Sequence, residues 1–261
     1  MGTVYEVERL TDEQKLALKI ITGHVSGAVA ARFAREAEIG ARVHHGNLVS
    51  IVDVGVSPSG APFLVMELVR GGSLEDWRPR FGDTAWVKPL LRQVADGLVA
   101  LHDAGVVHRD LKPGNILLHG EGSQVAKISD FGISRFGDVA GSVDSGAVTV
   151  EASTPAAARL TGTGTLLGTP LYMAPEAASG ARAADGPCDV FAFGILAYEM
   201  LTGRPPFKIP PVMLALAKLP MPMPEPMQGV EALSRCVLEC MAEDPASRPT
   251  MRQVRRVLDA S

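Results

Sequence analysis

His108-Arg109-Asp110-Leu111-Lys112-Pro113-Gly114-Asn115 lies between two apolar segments, Val106-Val107 before it and Ile116-Leu117-Leu118 after it. Apolar residues on both sides predict strand-like edges around a polar loop. Within six positions that loop presents a carboxylate (Asp110), an amine (Lys112) and an amide (Asn115). Such groups can accept a proton, neutralise an anion and ligate a hard cation, so the loop reads as catalytic. Asp, Pro, Gly and Asn also form ordinary turns, and the octamer alone leaves a plain turn open.

The rest of the chain bounds the answer. Its 261 residues are enough for two lobes or two small domains, and 46% hydrophobic with 21% charged residues argues against a largely disordered chain. A net charge of -4 gives no electrostatic case for nucleic acid, which normally meets a basic surplus or stripe. Cys188, Cys236 and Cys240 cannot all pair and lack zinc-site spacing, so they read as thiols in a reducing compartment. No apolar run reaches the roughly 18 to 20 residues of a membrane helix. The longest, Val190 to Met200, is shorter and contains Glu199. The first residues lack a basic start with an apolar core, and Glu6 breaks the myristoylation pattern, so the chain reads as soluble and cytoplasmic.

Position for position, the octamer matches H-R-D-L-x-x-x-N, the catalytic loop of protein kinases, and the chain resembles an eukaryotic-like (Hanks-type) serine/threonine protein kinase. The resemblance implies an α+β, bilobal fold. A small antiparallel sheet with one helix would form an N-lobe over about 1–69, without its first strand. A mainly helical C-lobe would span about 70–261. Asp110 would accept the proton of the substrate hydroxyl, Lys112 would sit near the transferred phosphate, and Asn115 would hold Mg2+.

The family's other motifs follow in order. Alternating residues around Val4, Val7, Leu16, Leu18 and Ile20, with a turn at Thr11-Asp12-Glu13, predict a hairpin. Its second strand ends Leu16-Ala17-Leu18-Lys19, which is similar to V-A-I-K. Lys19 would contact the α- and β-phosphates and Ala17 would line the adenine pocket. Of the Gly-rich loop only the end matches, Gly2 as its third glycine and Val4 as the valine under the adenine. Two expectations compete for this: a true start upstream of Met1, or a truncated and impaired chain. Val25 to Val43 has helical spacing, and Glu36, nine positions before His45, would pair with Lys19. Gly40 stands where the family has a bulky apolar residue, which predicts a gap beside Phe131. Strands are expected over Leu48 to Val54 and Pro62 to Met66, the turn Ser57-Pro58-Ser59-Gly60 between them. Val65-Met66-Glu67-Leu68-Val69 resembles the hinge. Met66 would border the adenine, the backbone of Glu67 and Val69 would bond its edge, and Leu117 would lie beneath it. Ser73 is a candidate helix cap, and Trp86 to Ala104 reads as an amphipathic helix.

Asp130-Phe131-Gly132, 15 positions after Asn115, resembles D-F-G, and Asp130 would hold the metal. Residues 137 to 168 fall where the activation loop sits, ahead of Ala174-Pro175-Glu176. Thr161, Thr163 and Thr165 are the leading phosphorylation candidates, with Ser153 and Thr154 behind them and Arg109 as reader of the phosphate. A flexible insertion with no switch role is the alternative. Asp189 would brace the catalytic loop, and Arg248 would pair with Glu176. The proline-rich stretch from Pro205 to Pro226 reads as a rigid surface connection, with docking of an SH3-like partner as the rival.

Taken together the resemblance runs from Gly2 to about Leu258 and implies transfer of the γ-phosphate of ATP, with Mg2+ or Mn2+, to Ser/Thr hydroxyls of proteins. It implies no nucleic-acid partner and no membrane segment, and it admits dimerisation for trans-autophosphorylation. Lys112 and the Gly168-Thr169 pair point to the serine/threonine branch, and Ala/Gly/Arg richness to a bacterial member. The rivals are a pseudokinase or scaffold, favoured by the incomplete Gly-rich loop and Gly40, and a small-molecule phosphotransferase of related fold.

Overall fold

The computed structural model describes residues 2–21, 37–58, 60–120, 124–131, 170–179 and 185–261. The alternating pattern at the start forms the expected hairpin. Strand β1 (Gly2–Glu8) pairs antiparallel with β2 (Lys15–Ile21), placing Val4 opposite Lys19 and Glu6 opposite Ala17. At the turn the Arg9 side chain binds Asp12 and Gln14, and Glu13 adopts a left-handed φ of 57°. Strands β3 (Ile51–Val56) and β4 (Pro62–Glu67) complete an antiparallel sheet of order β1-β2-β4-β3.

One side of this sheet carries a small apolar cluster of Ala17, Ala37, Val49, Leu64 and Met66. Ala37 belongs to the helical residues 37–41; the remainder of the Val25–Val43 pattern, including Glu36, lies outside the described residues. The expected gap beside Gly40 is not there. A methyl group placed on Gly40 would meet Ile51 Cδ1 and Phe131 Cε2 at 3.4 Å each, so those side chains close directly over the glycine.

The larger part is helical. Strands β5 (Ile116–His119) and β6 (Val125–Ile128) form a two-stranded sheet. Helix α1 (Thr84–Asp103) buries Val87, Leu90, Leu91, Val94, Leu98 and Leu101, the three-and-four spacing of one helical face. It starts two residues before the expected Trp86 because Asp83 caps it, accepting from the Trp86 N–H at 3.3 Å. Helix α2 (Gly186–Thr202) is buried on all sides from Asp189 to Leu201 and ends at Gly203, whose φ of 74° suits a left-handed cap. Helices α3 (Pro211–Leu216), α4 (Glu231–Cys240) and α5 (Met251–Asp259) follow, α3 packing on the 3-10 turns at Pro170–Tyr172 and Pro175–Ser179, α4 on α2 and α5 on α1. A second, larger core gathers around α1 and α2.

Two further expectations are corrected. Leu48 does not open β3: it bridges in parallel to Ile128, and the Val49 N–H donates to the Ile128 carbonyl at 2.9 Å. The polar groups of this segment thus find partners in the second sheet instead. Ser73 caps no α-helix; its N–H and hydroxyl both donate to Asp76, at 2.8 and 3.0 Å, ahead of a 3-10 turn at Arg78–Arg80. Within the proline-rich stretch, Pro211 opens α3 at the first-turn position where its missing N–H costs nothing. Cys188, Cys236 and Cys240 are free thiols. Among the described residues no helix is long and apolar enough to cross a membrane.

Candidate active site

The polar octamer sits between α1 and β5, on top of the buried start of α2. Asp189, fully buried, accepts from the His108 N–H at 2.8 Å, the Arg109 N–H at 2.7 Å and the His102 ring at 2.9 Å. Burial alone would raise this carboxyl, yet the bonds from His102 and the loop hold it below the ordinary carboxylate value. The same bonds fix Arg109 at a φ of 67°, an uncommon conformation that a long side chain keeps only when its surroundings impose it. His108 is tied down from its ring. Its Nδ1 accepts from the Asp110 N–H at 3.2 Å, which makes Nε2 the protonated nitrogen, donating to the Ser129 carbonyl at 2.9 Å.

Asp110 then stands in a net of donors. Lys112 Nζ lies 2.7 Å from its Oδ2, and Asn115 Nδ2 donates to that same oxygen at 3.0 Å and to the Asp110 carbonyl at 2.7 Å. Asn115 has spent both amide hydrogens, which leaves its carbonyl oxygen for a cation. Its backbone carbonyl accepts from the N–H and hydroxyl of Ser129, at 2.8 and 3.0 Å, and so fastens the loop to the residue before Asp130. Asp130 has a φ of 61° and its Oδ1 is 2.6 Å from Lys19 Nζ. One chain of bonds therefore runs from Asp110 through Asn115 and Ser129 to Asp130 and across to β2.

The donor set suits a hard cation. An amide oxygen and a carboxylate are oxygen ligands of the kind Mg2+ takes, with phosphate oxygens and water filling the remaining positions. Among the described residues no three of His, Cys, Asp or Glu gather into a self-contained metal site, so a cation here would draw most of its shell from a ligand.

Beside this net lies an apolar slot. Ala17 and Met66 are buried in the small cluster, and Val69 and Leu117 pack against it, so four of the residues expected around an adenine meet in one place. Val4 does not join them: it faces the same side of the sheet as Lys19 but is 56% exposed. Gly2 opens β1 opposite Ile21. The Glu67 N–H is committed to the Ser50 carbonyl at 2.9 Å, so the Glu67 carbonyl is what that residue can offer a base. The chain leaves the slot through Gly71, where any Cβ would lie 2.0 Å from the Leu118 carbonyl oxygen. Only glycine permits that approach.

A family model described as a protein kinase domain matches residues 1–257. The chain belongs to the protein kinase family. It is 37% identical over 261 residues to the serine/threonine-protein kinase pkn2 of Myxococcus xanthus, covering 95% of this chain and 29% of that protein. It is 34% identical over 257 residues to Pkn1 of the same organism, covering 95% and 34%. With PknL of Mycobacterium tuberculosis the identity is 37% over 210 residues, covering 79% and 47%. The chain thus spans 29% to 47% of the length of these relatives.

In the kinase domain, residues 170–179 are anchored twice. Arg248, its side chain fully buried, binds both oxygens of Glu176 at 2.6 and 2.8 Å, as its sequence position implied. Tyr172 donates to Glu199, and Arg78 reaches Glu199 and, at 3.2 Å, the Tyr172 hydroxyl. Burial and the Glu199 carboxylate push the Tyr172 phenol far above its ordinary range. This second anchor was missed in the sequence, although a Glu inside the apolar run Val190 to Met200 is the signal of a buried carboxylate in need of partners. His102 and Ser129 were missed as well; neither stands in a motif. Glu36, Thr161, Thr163 and Thr165 lie outside the described residues.

Proposed function

We propose that this domain is the catalytic part of a serine/threonine protein kinase that transfers the γ-phosphate of ATP to Ser/Thr hydroxyls of proteins. The observation that carries the reading is the continuous net from Asp110 through Asn115 and Ser129 to Asp130 and Lys19 beside the apolar slot. Asp110 is the base for the incoming hydroxyl, with Lys112 screening its carboxylate and approaching the transferred phosphate. Asn115 and Asp130 hold Mg2+, with Mn2+ as substitute, and Lys19 orients the α- and β-phosphates. When bound, the cation would supply positive charge to neutralise the phosphates. Ala17, Met66, Val69 and Leu117 enclose the adenine, Gly2 stands as the third glycine of the phosphate loop, Val4 is the valine expected at the adenine although it lies outside this cluster, and the Glu67 carbonyl and Val69 backbone bond the base edge. Such catalysis is mostly positioning and electrostatics, which matches a site made of tethered charges.

The division into an N-lobe over about 1–69 and a C-lobe over about 70–261 belongs to the same proposal. On sequence grounds alone it extends to Glu36 as a second partner of Lys19 and to Thr161, Thr163 and Thr165 as phosphate acceptors, modified in trans by a second copy. Free thiols and use of ATP fit the cytoplasm. The closure of Ile51 and Phe131 over Gly40 removes one ground for the scaffold reading.

Radiolabelled ATP with a generic Ser/Thr protein substrate tests the proposal. Asp110→Ala should lower transfer about 100- to 10,000-fold, the usual worth of a positioned base. Transfer that survives the substitution would refute the role of Asp110, and no transfer by the unaltered chain would favour a scaffold.

A further inference from the structure

The Glu67 side chain does something its place in the adenine slot does not require. Its Oε1 lies 2.8 Å from Lys127 Nζ, and its Oε2 accepts from the Ser50 N–H at 3.1 Å. The backbone doubles the second link, the Glu67 N–H donating to the Ser50 carbonyl at 2.9 Å. These partners come from different parts of the molecule. Glu67 ends β4 at the exit from the first sheet, whereas Lys127 is in β6, three residues before Asp130 and opposite Leu117 in the β5–β6 register. Ser50 ends a segment already sewn to β6. The Ile128 N–H donates to the Asn47 carbonyl at 2.9 Å, the Val49 N–H to the Ile128 carbonyl at 2.9 Å, and Asn47 Nδ2 to the Ala126 carbonyl at 2.9 Å.

Three segments therefore converge on one carboxylate, and they span the boundary between the first sheet and the body below it. The pair is poorly exposed, with 14% of the Lys127 and 26% of the Glu67 side chain open to solvent. Charges sheltered to that degree hold their geometry because separating them leaves each poorly solvated. Burial would raise the Glu67 carboxyl, but the bonds from Lys127 and Ser50 outweigh it and hold the group below its ordinary value. Any rotation that opens the cleft at the hinge must stretch this junction.

We propose that Glu67, clasped between Lys127 and the Ser50 N–H, is a positioning residue that ties the hinge to the strand leading into Asp130 and so sets how fast bound nucleotide leaves. The inference rests on the reading of the slot as an ATP site. Its carboxylate acts through the hinge, while its backbone carbonyl is the group expected to meet the base.

The test uses the full chain and its Lys127→Met, Glu67→Gln and Lys127→Arg variants, with a fluorescent ADP analogue displaced by excess ADP in a stopped-flow instrument. Hydrogen exchange is measured on the same proteins without nucleotide. The first two variants should release the analogue about three- to tenfold faster, the range of a sheltered ion pair. They should also exchange faster over residues 47–50 and 64–69 and nowhere else. Lys127→Arg, which keeps the charge, should match the unaltered chain. Equal release rates with analogue still bound would overturn the clasp and spare the ATP site. Failure of the unaltered chain to bind the analogue would overturn the ATP reading and with it the effect on release. Exchange would then decide the junction, and unchanged exchange over 47–50 would refute it too. If Lys127→Met does not fold, Glu67→Gln against Lys127→Arg gives the same comparison.

Discussion

One carboxylate, Asp189, organises the catalytic loop without touching a substrate. It collects two consecutive backbone N–H groups, which holds Arg109 in its left-handed conformation and aims the next residue, Asp110. Its value lies in charge as well as shape, because its folded carboxyl titrates below the ordinary value. For such a group the stabilisation is complete above the unfolded pKa of about 3.9 and is lost as pH falls through the lower folded value. Asp189→Asn should therefore cost about 3 kcal/mol at neutral pH, since three donors lose a buried anion. It should also flatten the loss of stability below about pH 4. Denaturant unfolding of both proteins across pH 2 to 7 checks this, and parallel acid limbs would contradict the role. The motif showed Asp189 as a brace; its third bond, from His102 on α1, was invisible because nothing in the sequence distances of those residues relates them.

At the scale of elements, the described residues 170–179 form two short 3-10 turns, Pro170–Tyr172 and Pro175–Ser179. Side-chain anchors replace a backbone ladder there. Arg248 joins Glu176 to the approach of α5 and also donates to the Ala242, Glu243 and Pro187 carbonyls, at 2.8, 3.2 and 3.0 Å. Removing one side of a buried pair strands the other, so Arg248→Ala should destabilise the domain by about 3 to 5 kcal/mol. Arg248→Lys should recover only part of that, because an ammonium cannot reproduce the planar two-toothed contact. Melting curves of the two variants measure the difference, and equal losses would show that charge alone matters. The pairing was legible from two motifs far apart in the chain. The Tyr172–Glu199–Arg78 anchor was not, since Arg78 sits in a 3-10 turn with no recognisable pattern.

Over the whole molecule, stability is unevenly shared. Among the described residues, Ala17, Ala37, Val49, Leu64 and Met66 form the buried cluster at the first sheet, while α1 and α2 run through a much larger core. Opening free energies follow buried apolar contact, so amides of α1 and α2 should be the slowest to exchange with deuterium and those of β1 among the fastest. Uniform protection across both parts would show that the lobes unfold as one unit. Among the described residues, Lys19–Asp130 and Glu67–Lys127 are ion pairs between the two parts. A weakly restrained sheet over a rigid body suits a cleft that must admit and release its ligand.

What the sequence by itself determined was local and ordered: the octamer, the hairpin with Lys19 in its second strand, Asp130 before Phe131, and the amphipathic helix α1. Each follows from side-chain type and spacing within a few residues, which is where period, turn chemistry and motif order act. Only the tertiary structure decided what depends on distance through space. Leu48 and Val49 pair with β6 because their polar groups find partners there. Ile51 and Phe131 lie against Gly40, and Val4 stays outside the apolar cluster of Ala17 and Met66. The opening octamer is catalytic in form from its residues alone; its geometry is held by Asp189, Ser129 and His102, which folding brings from elsewhere in the chain.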